Sequence, residues 1–420
     1  MSGDKRGLIP PTSLSDGKEG GESHNGDALL RDFRVLLLLF VGLRLVILAA
    51  HDPNGLMAYG EFDNFYKFAD ITRVTGLLPF LGYWMEYPPL FVWPNLALHM
   101  TLNVWLGLPE HTYYYTLALI VLGADVGNLI VMRRLGERLY GPQRGLDIAW
   151  AYALLGVPLV FLMWNVEPVV TLFMLLGLLW LLEGKDGRSA LAVATGTLIK
   201  VMPALLVPAA WRFRSPKGAA FYTGIVAALG VGAYLPFLIL SPPFALASLR
   251  AQISKSSWQT VWALLDGNFG TGNFGDLIDR LDASKAAQML GNPPLIPTWM
   301  TLIAFGALYA YLFTRPIRRT DHSLVAFFGV TWCVFLLWSK GWSTPWMQML
   351  IPLILLTFPN REGVLAILLF SLVNFLEWPV LMSRGLFWGL YLTAPLRTLL
   401  IGGFLAAFWW QCRPQQVRAA

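Results

Sequence analysis

From Val35 onward the chain alternates long apolar runs with short polar stops. The runs cover 34–50, 113–132, 146–163, 169–182, 189–199, 201–211, 219–240, 298–314, 323–338, 346–358, 363–381 and 387–411. The longer ones reach roughly 17–22 residues, enough for a helix to cross a hydrocarbon core of ~30 Å. A further apolar stretch, 89–106, follows Pro88-Pro89. Residues 1–33 are rich in Gly, Ser, Asp and Lys with few bulky apolar side chains, a composition that predicts disorder. The pattern therefore predicts an all-α, polytopic membrane helix bundle. One transmembrane domain spans 34–411, between polar tails at 1–33 and 412–420. No internal repeat is evident.

Composition agrees. Hydrophobic residues make up 56% of the 420 and charged residues 13%, with a mean hydropathy of +0.56. A soluble protein of this length needs more charge to cover its surface. The N-terminal tail is too long and too acidic for a secretory signal, so the first run reads as an uncleaved anchor. Cys333 and Cys412 lie in or beside apolar runs and form no disulfide framework. The net charge of +6 does not point to nucleic acid, because the bases punctuate apolar runs instead of clustering on a soluble face.

The placement of those bases predicts topology. If 89–106 crosses, Arg133, Arg134 and Arg138 fall outside and every later loop inverts. If it lies in the outer interface or re-enters without crossing, the inside loops hold Arg133, Arg134, Arg138 and Arg144, Lys185 and Arg188, Arg212, Arg214 and Lys217, Arg315, Arg318 and Arg319, and Arg361. With Lys5, Arg6, Lys18, Arg31, Arg34, Arg413 and Arg418 in the flanking segments, roughly two-thirds of the 31 Lys and Arg then lie inside. The expectation is twelve crossings, an interfacial or re-entrant helix at 89–106, and both termini cytoplasmic. Two long segments, 51–112 and 241–297, then face outward, where function concentrates.

The first of these reads Gly60-Glu61-Phe62-Asp63-Asn64-Phe65-Tyr66, and later Glu86-Tyr87-Pro88-Pro89-Leu90-Phe91. Glu61 and Asp63 sit just past the first membrane helix. Partial burial there raises a carboxylate's pKa and makes it a better base; the alternative is a pair of solvated loop acids. Pro88-Pro89 suits a helix start, whose amino end would favour an anion such as phosphate.

Arg44, Asp125, Glu167, Lys200, Lys340, Glu377, Arg384 and Arg397 interrupt apolar runs. Each costs roughly 2.5–3.5 kcal/mol to insert and needs a partner or a wet cavity. In the expected topology Glu167, Lys200, Lys340, Glu377 and Arg384 fall near outer helix ends and would form one polar cavity with the loops. Snorkelling or structural ion pairing is the competing account. Lys200 falls at the apex between two short helices. The segment Lys340 to Gln348 is a polar turn entering a helix. There is no His/Cys metal cluster, Walker loop or dinucleotide fingerprint, although loop carboxylates leave room for a divalent ion.

On these residues the chain resembles a GT-C superfamily glycosyltransferase, and within it the polyprenyl-phosphate-mannose-dependent mannosyltransferase branch. The matching features run in order: Glu61, Phe65-Tyr66 and Ala69; Glu86-Tyr87-Pro88-Pro89-Leu90; Asp125; Lys200-Val201-Met202-Pro203; and Lys340, Ser343, Pro345, Gln348 and Pro352. They span roughly residues 35–360. Met349 stands where the family usually has an aromatic residue. The resemblance implies an extracytoplasmic active site whose base is an acid of the first outer loop. Register favours Glu61 and residue type favours Asp63. The implied substrates are a polyprenyl-phosphate sugar, most simply mannose, and a glycolipid, lipid-linked glycan or protein acceptor at the membrane lipid surface.

A lipid-phosphate leaving group needs no general acid. It needs a carboxylate to take the acceptor's proton and cations or amides for the departing phosphate. Lys340, Arg250, Lys255 and Arg384 are the phosphate candidates, and Glu86, Tyr87, Lys200, Trp258 and Gln348 the remaining substrate candidates. Trp258 and Trp262 suit either sugar stacking or interfacial anchoring. The rival expectation is a transporter or lipid-glycan flippase, with polar residues at the midplane and inverted repeats. A non-catalytic assembly protein is a third. The absence of any Asn-x-Ser/Thr sequon favours a prokaryotic plasma membrane.

Overall fold

The computed structural model describes residues 29–50, 61–156, 165–270, 272 and 274–414. Most of the expected disordered tail, the stretch 51–60, the end of the 146–163 run and residues 415–420 lie outside the described residues. So do Lys5, Arg6, Lys18 and Arg418.

The described chain is helical, and among the described residues it contains no strand beyond two isolated bridges. In chain order the helices are α1 (Phe33–Ala50), α2 (Phe62–Thr75), α3 (Pro89–His99), α4 (Glu110–Tyr140), α5 (Pro142–Leu154), α6 (Glu167–Leu182), α7 (Asp186–Thr197), α8 (Val207–Phe213), α9 (Pro216–Leu240), α10 (Pro242–Ala251), α11 (Val261–Asp266), α12 (Thr298–Thr314), α13 (Asp321–Trp338), α14 (Met347–Thr357), α15 (Arg361–Phe375) and α16 (Leu390–Cys412).

Six helical stretches are long and apolar enough to cross a membrane: Phe33–Ala50, Glu110–Tyr140, Pro216–Leu240, Asp321–Trp338, Arg361–Arg384 and Phe387–Cys412. Glu167–Leu182, Thr298–Thr314 and Thr344–Thr357 are apolar but shorter. The outer surface suits lipid: on α9 only Ala219 and Tyr222 are buried, while Phe221, Val231, Leu235, Ile239 and Leu240 are exposed. In water a continuous face of this kind would drive association.

Local sequence explains several helix ends. α3 begins with Pro88 as its cap and Pro89 in its first turn, as the double proline predicts. α4 runs past the expected end at 132, so Arg133, Arg134 and Arg138 lie on its last turns and not in a loop. No proline interrupts α4, and Gly141, with a φ of +88°, and the following Pro142 end α4 and start α5. These two helices close tightly, since a Cβ on Gly136 would stand 2.8 Å from the Gly145 Cα. Small residues let helix backbones approach in a membrane. The 363–381 run is not one helix. α15 ends at Phe375, and Trp378 leaves helical geometry just before Pro379.

The basic stops meet at one end of the bundle. Arg138 pairs with Asp321 at 2.8 Å and donates to the Leu182 carbonyl. Arg214 pairs with Asp186, Arg212 donates to the Arg315 carbonyl, and Arg318 to that of Gln411. At the opposite end the two long segments interlock. The Trp84 amide donates to the Arg280 carbonyl, and its indole to the carbonyls of Asp279 and Asp282. The Met85 amide donates to Ser248 Oγ and Ser241 Oγ to the Leu81 carbonyl.

Candidate functional site

Between the interlocked segments lies a cavity of about 490 Å³. One wall is the start of α2. Helical spacing puts Glu61, Phe65 and Phe68 on the cavity face, while Asp63 and Asp70 turn away. The second wall is Glu86-Tyr87, just before α3. The third comes from the other long segment, Lys255, Trp258, Phe274 and Arg280, and the fourth from the turn at Ser343 and Thr344.

Glu61 and Asp63, inseparable by motif, have different surroundings. Asp63 is outside the lining, its side chain 38% exposed, paired with Lys67 one helical turn away at 2.5 Å. Glu61 lines the cavity and accepts a hydrogen bond from the Tyr87 hydroxyl at 3.1 Å. Burial raises the Glu61 carboxyl above its ordinary range; Lys200 opposes this and Glu167 adds to it. The geometry that makes a carboxylate basic is thus present at Glu61.

Across the cavity Glu86 is gripped by Arg280 through two hydrogen bonds of 2.5 and 3.0 Å. Burial works against the Glu86 charge, but Arg280 and Lys255 overcome it and hold its pKa below the usual range. Arg280 also lies 4.2 Å from the Phe68 ring centroid and 4.8 Å from that of Trp84. Sequence reading missed it. A lone arginine between Asp279 and Asp282 looks like a solvated loop charge, and its partner is 194 residues away.

Lys255 forms no ion pair among the described residues. Its ammonium lies over the rings of Phe274 and Trp258, at 4.8 and 5.6 Å. Burial pulls its pKa down, offset in part by Glu86 and Glu61. Trp258 is fixed at both backbone ends: its amide donates to the Lys340 carbonyl and its carbonyl accepts from Trp342. Its ring occupies the space beside Gly341, where a Cβ would stand 2.1 Å from the indole. Trp262 instead donates to the Leu337 carbonyl at 3.0 Å and packs on Phe305.

The remaining expected residues lie apart from the lining. Lys200 stands behind Tyr87, ion-paired to Glu167. The Lys340 side chain bonds Thr298, so this turn contributes backbone and not its ammonium. Arg250 is exposed on α10, and Arg384 is exposed and donates to the Val380 carbonyl. Gln348 is buried in α14, its amide nitrogen without a partner among the described residues. Glu377 is closed on Arg397 at 2.6 Å. The expected single cavity of Glu167, Lys200, Lys340, Glu377 and Arg384 therefore resolves into ion pairs and surface contacts around a cavity lined by other residues.

The expected anion seat at the start of α3 is also taken. Pro88 and Pro89 carry no N–H, the Leu90 amide donates to the Leu198 carbonyl, and those of Phe91 and Val92 turn back to Pro88. Among the described residues no three His, Cys, Asp or Glu side chains gather as metal ligands.

The cavity can thus offer a basic carboxylate, one uncommitted ammonium, a neutralised carboxylate–guanidinium pair and an aromatic wall. No protein-family model and no curated protein matches the chain.

Proposed function

We propose that the protein is an inverting glycosyltransferase of the GT-C type. On this reading it moves a sugar, most simply mannose, from a polyprenyl-phosphate donor to an acceptor hydroxyl on the extracytoplasmic side of a membrane. The observation that carries the reading is Glu61: a carboxylate raised in pKa by burial, on the wall of a cavity that also holds an unpaired ammonium.

In this mechanism Glu61 takes the proton from the acceptor hydroxyl as its oxygen attacks the anomeric carbon. The bond from that carbon to the phosphate oxygen breaks on the opposite face, so configuration inverts. The electron pair leaves with the lipid phosphate, whose charge Lys255 meets. Because Glu86 and Arg280 neutralise each other, Lys255 is left to face a single negative charge, which fits a phosphodiester donor. The flat Trp258 ring beside it suits the apolar face of a sugar. The donor's chain stays in lipid, along surfaces such as that of α9.

The gathering of basic stops at the end of the bundle away from the cavity supports the sidedness that goes with this reading, a cytoplasmic basic end and an outward-facing site; twelve crossings and cytoplasmic termini complete the proposed topology. A cavity at one end beside long loops also favours a transferase over a carrier, whose site belongs near the midplane.

The test is incubation of the purified protein with a panel of radiolabelled short-chain polyprenyl-phosphate sugars and membrane-lipid extract as acceptor. Label entering a new product is the expected result. Folded protein that neither transfers nor cleaves any donor would remove the transferase reading.

A further inference from the structure

Behind the cavity wall a second layer of charge stands in line with Glu61. Tyr87, which donates its hydroxyl to Glu61, turns its ring toward Lys200, whose ammonium lies 5.9 Å from the ring centroid and 5.9 Å from that of Trp346. Lys200 is ion-paired to Glu167, whose side chain is 1% exposed. The Glu167 amide is held by Asn165 Oδ1 at 3.0 Å, and the Lys200 amide by the Gly196 carbonyl at 2.9 Å. Glu167 opens α6 and Lys200 follows α7, two helices that pack side by side. The position of the pair is therefore set by the bundle and not by a loop.

The second carboxylate oxygen of Glu167 is buried and has no hydrogen-bond partner among the described residues. A buried pair of this kind contributes little net stability. What it does provide is a charge of fixed size at a fixed place behind Tyr87. Four groups act on Glu61: Lys200, Glu167, Tyr87 and Lys255. Glu86 and Arg280, across the cavity, are closed on each other.

We propose, resting on the reading of Glu61 as the base, that Glu167 is a positioning residue for it. Glu167 anchors Lys200 behind the Tyr87 ring and offsets its charge, so that Glu61 keeps the basicity the reaction needs. Without Glu167 the Lys200 charge acts undiluted and stabilises the Glu61 carboxylate, which becomes a weaker base. Without Lys200 the sign reverses. Removing both restores the original balance of charge.

The experiment uses the full-length protein in detergent and needs no donor. Dicyclohexylcarbodiimide modifies protonated carboxyls, and the extent of labelling at Glu61 is read by peptide mass spectrometry as pH is varied. In Glu167→Gln the labelling midpoint is expected to fall by about one pH unit, a tenfold change in the protonation equilibrium. In Lys200→Met it rises, and in the double variant it returns near wild type. Glu167→Asp, which keeps the charge, holds the wild-type midpoint.

A midpoint in Glu167→Gln within ~0.3 unit of wild type overturns the proposal, since tuning of this kind is read in whole units. So does wild-type protein whose Glu61 takes no label at any pH. If Glu167→Gln yields no folded protein, Lys200→Met and the double variant carry the test, and a double that fails to return overturns it. Labelling that shifts as expected in a protein without transfer activity would remove the transferase reading but leave this coupling standing. Transfer with an unmoved midpoint would do the reverse.

Discussion

Inside the bundle, Arg44 meets Asp125 at 2.8 Å, both side chains essentially unexposed, and Tyr152 donates to the second Asp125 oxygen. Arg397 meets Glu377 in the same way, with Thr393 donating to that carboxylate and the Gln259 carbonyl accepting from the arginine. At the loop end, Glu61 and Lys255 face a common cavity, and neither has an ion-pair partner among the described residues. All six are charges in an apolar chain. The first four are neutralised where they stand, so they link helices. Glu61 and Lys255 line the cavity without such a partner, and on the proposed reading they meet a substrate's proton and negative charge. On that reading pairing, not burial alone, separates the structural charges from the chemical ones.

Four single substitutions, one of them followed by a second-site change, would break or sharpen that contrast. The largest effect is expected at Glu61→Gln, which keeps shape and removes the proposed base. Transfer should fall by about 10²–10⁴-fold while the melting temperature in detergent stays put. A parallel loss of melting temperature would move Glu61 into the structural class. Arg397→Met should do the opposite. It leaves Glu377 buried and unpaired, a cost of about 3–5 kcal/mol, seen as a lowered melting temperature, with Glu377→Gln added to Arg397→Met recovering part of it. Lys255→Met should weaken donor binding by about 10–100-fold, the value of one hydrogen bond to a charged group, read as a raised KM in protein of normal stability. Asp63→Asn should change activity by less than about twofold, because an exposed one-turn pair with Lys67 is worth only a few tenths of a kcal/mol.

The bundle was largely legible in the sequence. Each expected apolar run is helical over its described residues in whole or part, because apolar runs of this length have few alternatives. The 298–314 run matches α12 end for end. The expected twelve crossings go beyond the six described stretches long enough to span; the misses in helix bounds are local. α4 continues through Arg133 and Arg138 because charge does not stop a helix, whereas Gly141-Pro142 does. The 363–381 run breaks at Trp378, where Pro379 gave a signal that hydropathy overrides.

The cavity lining was legible in part. Glu61, Glu86, Tyr87, Lys255 and Trp258 were named from sequence and line the cavity. The spacing Glu61, Phe65, Phe68 also held the information that separates Glu61 from Asp63, since residues three and four apart share a helix face. Arg280 was not readable, because its role arises from a pairing across 194 residues. Lys340 misled for the converse reason: the turn was identified, but its contribution to the site is a carbonyl that holds Trp258, and a backbone role leaves no mark on residue type.

The central claim, that the unpaired Glu61 carboxylate is the working base, is tested most directly by the pH dependence of sugar transfer in the wild-type protein. A base must be ionised, so transfer should be lost as pH falls through the Glu61 pKa. Burial raises that value above the ordinary 4.5 of a glutamate. The account predicts a one-proton acidic limb with its midpoint above 4.5. Transfer that persists undiminished down to the ordinary carboxylate range would contradict it.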